Sequence, residues 1–124
     1  DLLEVGHRFK VSEEGKEMFD DLTEKDGAFE THAECFLMAM AIGILMGERS
    51  TRRIKTSTFH LDSYNAHDPT YSFPILLKAQ NPRLNKEELA RDMEAFADTG
   101  VHVLHKEWSS TTTIDFKHIW KNWG

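Results

Sequence analysis

The chain has one cysteine, three prolines and two tyrosines in 124 residues, and each scarcity excludes something. A lone thiol, Cys35, cannot close a disulfide within the chain, so a disulfide-stapled scaffold is ruled out and a reducing, intracellular setting is the default reading. No stretch approaches the roughly 20 apolar residues that a bilayer-crossing helix needs. No signal peptide or lipidation motif is visible, which predicts a cytoplasmic protein with no membrane partner; an opening at Asp1 rather than Met fits a short leader trimmed or left out. Internal repeats and Gly/Ser linkers are missing too, so residues 1–124 read as a single domain. Positive charge is also in deficit. A net charge of −6 excludes a protein that coats nucleic acid through its overall charge.

Catalytic signatures are equally scarce. There is no Gly-rich phosphate loop, no Gly-x-Ser-x-Gly elbow, no kinase signature, no His-Glu-x-x-His and no Cys-x-x-Cys. Seven histidines invite a metal reading through His60 with Asp62, His67 with Asp68, and His102 with His105, but none of these spacings converges three or four ligands. Cys35 lies in the opening turn of a helix, where a thiolate can be favoured, yet it also begins an apolar run, where cysteine is ordinarily inert. The expectation is therefore no catalytic residue, no cofactor and no metal site.

What the chain does have is Cys35–Met46, twelve residues without a charge. A helix apolar on all sides must be covered on all sides. A lone 14.3 kDa chain looks too small for that, which predicts a central helix shared between copies. Around it, the alternation at 7–11 predicts a short strand, and Ser12 with Glu13 and Glu14 opens a helix to about Lys25. Gly15, Met18, Phe19 and Leu22 form its inner stripe, and Asp26-Gly27 closes it. Thr31 with Glu34 opens the central helix, which stops at Gly47. Residues 54–61 read as a short strand or extended loop, 62–69 as turn chemistry, and 74–80 as a helix opened by Pro74. Asn85 with Glu88 opens a further helix through Leu89, Met93 and Phe96, ended by Gly100, with one or two more turns over 101–108 and a loop at 109–113. Residues 114–123 complete the chain as an amphipathic helix carrying Phe116, Ile119, Trp120 and Trp123. The fold class is mainly α: a compact helical domain with a central apolar helix and at most one or two short strands. Phe36, Met40, Ile44, Trp120 and Trp123 are the candidates for core or subunit contacts.

Charge is unevenly spread. Eight acids fall between Glu13 and Glu30 against Lys16 and Lys25. From Arg49 to Lys55 the sign reverses, with Arg49, Arg52, Arg53 and Lys55 and no acid between them. Cations leaving the negative end of a helix have a structural reason to be there. They are equally the place where a phosphate backbone could be held.

The order of these pieces resembles one family. Arg8-Phe9-Lys10-Val11-Ser12, an acidic helix and an Ala- and Met-rich second helix are similar to DndE, a family of small proteins of the DNA phosphorothioation (sulfur modification) system. Asp68-Pro69-Thr70-Tyr71 followed by Ile75-Leu76-Leu77 is similar to the family's middle helix, and Gly100-Val101-His102-Val103-Leu104 to its C-terminal signature. The resemblance spans about residues 7–105 and excludes the tail after Trp108. It implies a helical homotetramer without its own chemistry, an accessory subunit of a DNA-modification or phage-defence system. Its partners would be duplex DNA, nicked duplex included, and the other modification proteins. DNA contact in that family is attributed to a lysine-rich surface, whereas the first helix here is acidic. Only Arg49, Arg52, Arg53 and Lys55, helped by Lys10 and Lys16, could take that part.

Two other readings compete. A short strand followed by two helices resembles ribbon-helix-helix transcriptional regulators, with His7, Arg8 and Lys10 reading the major groove. A metal-dependent nuclease or hydrolase would use His60, Asp62, His67 and His102.

Overall fold

The protein is described by a computed structural model over residues 1–123, without the side chain of Trp123. It is mainly helical, as expected, with one two-stranded ribbon. In chain order the elements are strand β1 (Arg8–Ser12), helices α1 (Glu13–Thr23) and α2 (His32–Met46), strand β2 (Ile54–His60), and helices α3 (Leu61–Asn65), α4 (Ser72–Gln80), α5 (Lys86–Thr111) and α6 (Phe116–Trp123).

The expected caps hold. Ser12 Oγ accepts from the Gly15 N–H at the start of α1, and Thr31 Oγ1 accepts from Glu34 N–H at the start of α2. Asn85 and Glu88 form a reciprocal capping box on α5, and Gly47 ends α2 in the left-handed region at φ 66°. The alternation at 8–12 makes a strand that buries Phe9 and Val11. β2 pairs with it antiparallel, Phe9 opposite Phe59 and Lys10 opposite Ser57, with two irregularities in register. Phe9, Phe36, Phe59 and Tyr64 form one aromatic cluster, ring centroids 4.9–6.4 Å apart, that pins the ribbon onto α2 and α3.

Four expectations need correction. First, α5 does not stop at Gly100; it runs from Lys86 to Thr111, through the polar stretch at 109–111. Gly100 is a packing residue. A Cβ there would meet the Ala39 carbonyl oxygen of α2 at well under the 3.0 Å that real Cβ atoms keep, and a Cβ at Gly43 would meet the Phe96 carbonyl oxygen in the same way. Residues 39 and 43 of α2 thus cross residues 100 and 96 of α5 in antiparallel order, backbone against backbone. Second, the helix at Pro74 begins two residues earlier, at Ser72. Proline at the third position is tolerated because the first four N–H groups have no partner inside the helix.

Third, residues 62–69 are turn chemistry only in part, since Leu61–Asn65 form a helical turn. The buried Asp68 side chain then accepts from Ser72 N–H (2.9 Å) and Phe73 N–H (3.3 Å), capping α4, and from the Tyr64 hydroxyl (2.6 Å). Burial, reinforced by that bond, pushes the Tyr64 phenol above its usual range. Fourth, one copy covers more of the apolar helix than its composition suggests. Cys35, Phe36, Ala39, Met40, Ile42 and Gly43 are buried within the chain, because α5 is long enough to lie along α2. What stays outside is a stripe at helical spacing: Leu37, Met38 and Ala41 are half-buried and Leu45 is 64% exposed.

Candidate nucleic-acid interface

The two strands contain Arg8, Lys10 and Lys55 and no acid, and Arg53 directly precedes β2. All four side chains are exposed, and no ion pair involves any of them among the described residues. Arg8 faces His60 across the ribbon and Lys10 faces Ser57. In a chain of net charge −6, this is a local field of the opposite sign.

The far edge of β1 is closed in an unusual way. Lys10 N–H donates to Glu94 Oε2 (2.8 Å) and Ser12 N–H to Asp98 Oδ1 (3.0 Å). Two strand residues advance by about 6.7 Å and four helical residues by about 6 Å, so carboxylates one turn apart on α5 meet alternate amides of an edge strand. Asp98, fully buried, also accepts from the Ser12 hydroxyl (2.6 Å) and the Ser50 hydroxyl (2.7 Å), and Arg52 Nη1 stands 3.8 Å away. Gly15 passes so close that a Cβ there would sit 2.5 Å from Asp98 Oδ1. Glu94 Oε2 additionally lies 3.1 Å from His7 Nε2. With β2 on one edge and these carboxylates on the Lys10 and Ser12 amides of the other, β1 differs from the strand of a ribbon-helix-helix protein, which pairs with a second copy.

The six cations singled out in the sequence separate into two groups. Lys10, Arg53 and Lys55 lie on or beside the ribbon. Arg49, Arg52 and Lys16 are engaged elsewhere. Arg49 makes a bidentate pair with Asp92 (Nε 2.6 Å, Nη2 3.2 Å) and its guanidinium stands 4.5 Å from the Phe96 ring centroid. The Asp92 bond holds its pKa above the ordinary value. Arg52 has Glu14 at 3.9 Å besides Asp98, and Lys16 pairs with Asp20 one turn on. The run without acids in sequence is thus opposed in space by acids from α1 and α5. Arg8, assigned from sequence only to the competing regulator reading, belongs with the ribbon group; its signal was the absence of acids in both strands.

Between the 46–52 segment and the middle of α5 lies a cleft of about 420 Å³, lined on its polar side by Arg49, Ser50, Thr51, Arg52, Thr99, His102 and the carboxylate of Glu48. His102 Nδ1 lies 2.7 Å from the Asp98 carbonyl oxygen, so that nitrogen carries the proton and Nε2 is left over. For metal chemistry the structure offers less. Among the described residues no three His, Cys, Asp or Glu side chains are grouped to hold an ion, and His60, Asp62 and His67 are exposed. Burial pushes the Cys35 thiol far up, with Glu34 adding to the shift. No helix among the described residues is long and apolar enough to cross a membrane.

Of the candidate contact residues, Phe36 and Met40 are buried in the core, Ile44 is half-buried, and Trp120 is 59% exposed. The Trp123 side chain lies outside the described residues. Comparison with protein-family models, with curated proteins and with solved structures gave no match to this chain.

Proposed function

We infer that this chain is a non-catalytic, DNA-backbone-binding subunit that works as a homo-oligomer, in keeping with its resemblance to the accessory proteins of DNA phosphorothioate modification. The observation that carries the reading is the ribbon: four exposed cations, Arg8, Lys10, Arg53 and Lys55, with no acid in either strand. Phosphate contacts of this kind are sequence-independent and need no catalytic group. The apolar stripe of Leu37, Met38, Ala41 and Leu45 supports assembly of copies, a tetramer in the family it resembles, and repetition would multiply four weak contacts into useful avidity. Other proteins of the modification system are the remaining class of partner.

Salt dependence tests this directly. Four phosphate contacts per subunit give a log–log slope of affinity against salt of about −3.6 for duplex DNA. Lys10→Ala with Lys55→Ala should lower its magnitude by about 1.8, read by fluorescence anisotropy on nicked and intact duplexes. Absence of binding at low salt, or a slope that the double variant leaves alone, refutes DNA contact through the ribbon. Light scattering on the same samples reads the assembly, and a monomer at micromolar concentration refutes that half.

A further inference from the structure

The last helix is joined to the rest of the chain by a strained link. α5 ends on Thr112, which takes the left-handed conformation (φ 57°, ψ 25°) while its N–H donates to the Trp108 carbonyl oxygen. Glycine or asparagine ordinarily fills such a position. A β-branched residue there crowds its Cβ against the backbone, which disfavours the turn by roughly ten-fold in population. Residues 109–113 are all Ser or Thr, all exposed and of modest helix propensity. Thr111 Oγ1 lies 2.9 Å from the Glu107 carbonyl oxygen, 3.0 Å from that of Thr113 and 3.3 Å from the Thr113 nitrogen. These bonds hold the turn to itself and to the end of α5; they do not tie α6 to the body. The seat of α6 is small. Ile119 is buried, Ile114 is half-buried, and His118 Nδ1 lies 2.7 Å from Oε2 of the buried Glu107. Phe116 and Trp120 stay exposed. A groove of about 370 Å³ is left open between Ile114 and Phe116 on one side and Ala28, Phe29, Glu34 and Met38 on the other. Met38 also belongs to the apolar stripe of α2, so the groove runs into the surface proposed above for assembly.

We propose that α6 is exchanged between two copies of the chain, each α6 leaving its own α5 and taking the same seat on the other copy. The occupant fits because the seat holds an identical helix within each chain. Reciprocal exchange keeps the contacts of Ile119 and His118, and it lets Thr112 return to a negative φ in both copies. It closes on itself by two-fold symmetry, so it does not propagate into a fibre. Strain in a short hinge is a recognised driver of such exchange. Because the groove and the stripe share Met38, the crossing arms draw the two α2 stripes together. This inference rests on the assembly of copies and not on DNA binding.

The test uses the full-length protein. Copies carrying Phe29→Cys are mixed with copies carrying Phe116→Cys, unfolded and refolded together, and treated with a short bis-maleimide. Both positions line the groove, and the buried Cys35 does not compete. A 29–116 cross-link in this mixture can only join two copies, and mass spectrometry of the digest is expected to find it. Thr112→Gly removes the strain of the turn. It should raise the dimer dissociation constant about ten-fold or more and lower the cross-linked yield in step. Thr112→Pro, which cannot take a positive φ, should shift both the other way; if it does not fold, Thr112→Gly decides the matter. Light scattering on the same samples separates exchange from assembly. A particle larger than a monomer without 29–116 links between copies overturns exchange and leaves assembly standing, as does a dissociation constant that Thr112→Gly leaves alone. A monomer overturns both.

Discussion

Replacing Gly100 with alanine separates two opposite expectations. On an exposed helix face this change gains about 1 kcal/mol, because alanine is the better helix former. Gly100 is instead buried at the crossing of α2 and α5, and its added methyl would overlap the Ala39 carbonyl oxygen. That oxygen is backbone inside a helix and cannot swing aside, so the helices must separate by roughly 1 Å, forfeiting close contact along the interface. Overpacking of this kind costs about 1–3 kcal/mol and occasionally more. With an overlap this severe the cost sits at the top of that range, about 3 kcal/mol, and after the propensity gain a net loss of about 2 kcal/mol is expected. For a chain of this length that is about 8 °C in Tm, read by circular dichroism during thermal and urea unfolding. Gly43→Ala should cost a similar amount, and the double variant less than the sum, since helices already parted have room for the second methyl. Gly47→Ala is the control: no atom lies within 4 Å of its Cβ, so only its left-handed backbone matters, at about 1 kcal/mol. A Gly100→Ala protein more stable than the parent refutes the close crossing.

Asp98→Ala should destabilise by about 3–5 kcal/mol in urea, because it leaves buried donors of Ser12 and Ser50 without an acceptor; a loss under 1 kcal/mol would mean the β1 edge is not held by this residue. Cys35 should release no chromophore from an aromatic disulfide reagent at pH 8 while the protein is native, and react fully once unfolded in urea. Rapid stoichiometric reaction of the native protein would refute its burial.

Much of this architecture was legible from local chemistry. Ser12, Thr31, Gly47 and the Asn85–Glu88 box mark helix ends because a cap acts on backbone groups within four residues of itself. What escaped was set by distant partners. Gly100 carries the ordinary signature of a helix stop, and only the approach of Ala39 shows why a glycine is needed inside α5. The run from Arg49 to Lys55 contains no acid, yet Asp92 and Asp98 reach Arg49 and Arg52 from some 40 residues away. Nothing in the sequence around Glu94 and Asp98 points to β1, although their four-residue spacing, set against the two-residue step of a strand, is what lets them close the ribbon. The Thr51, Thr99 and His102 cleft had no signature at all, since no short-range pattern links those three positions.

The substitution of side-chain carboxylates for a third strand also orders events during synthesis. Residues 7–12 leave the ribosome well before the groups that quench their outward amides, which lie 84 and 86 residues further on, so that whole intervening stretch must emerge before the segment can settle. Until then its open flank is a template for any extended peptide nearby, and a nascent chain stalled short of Glu94 would need a chaperone to shield it.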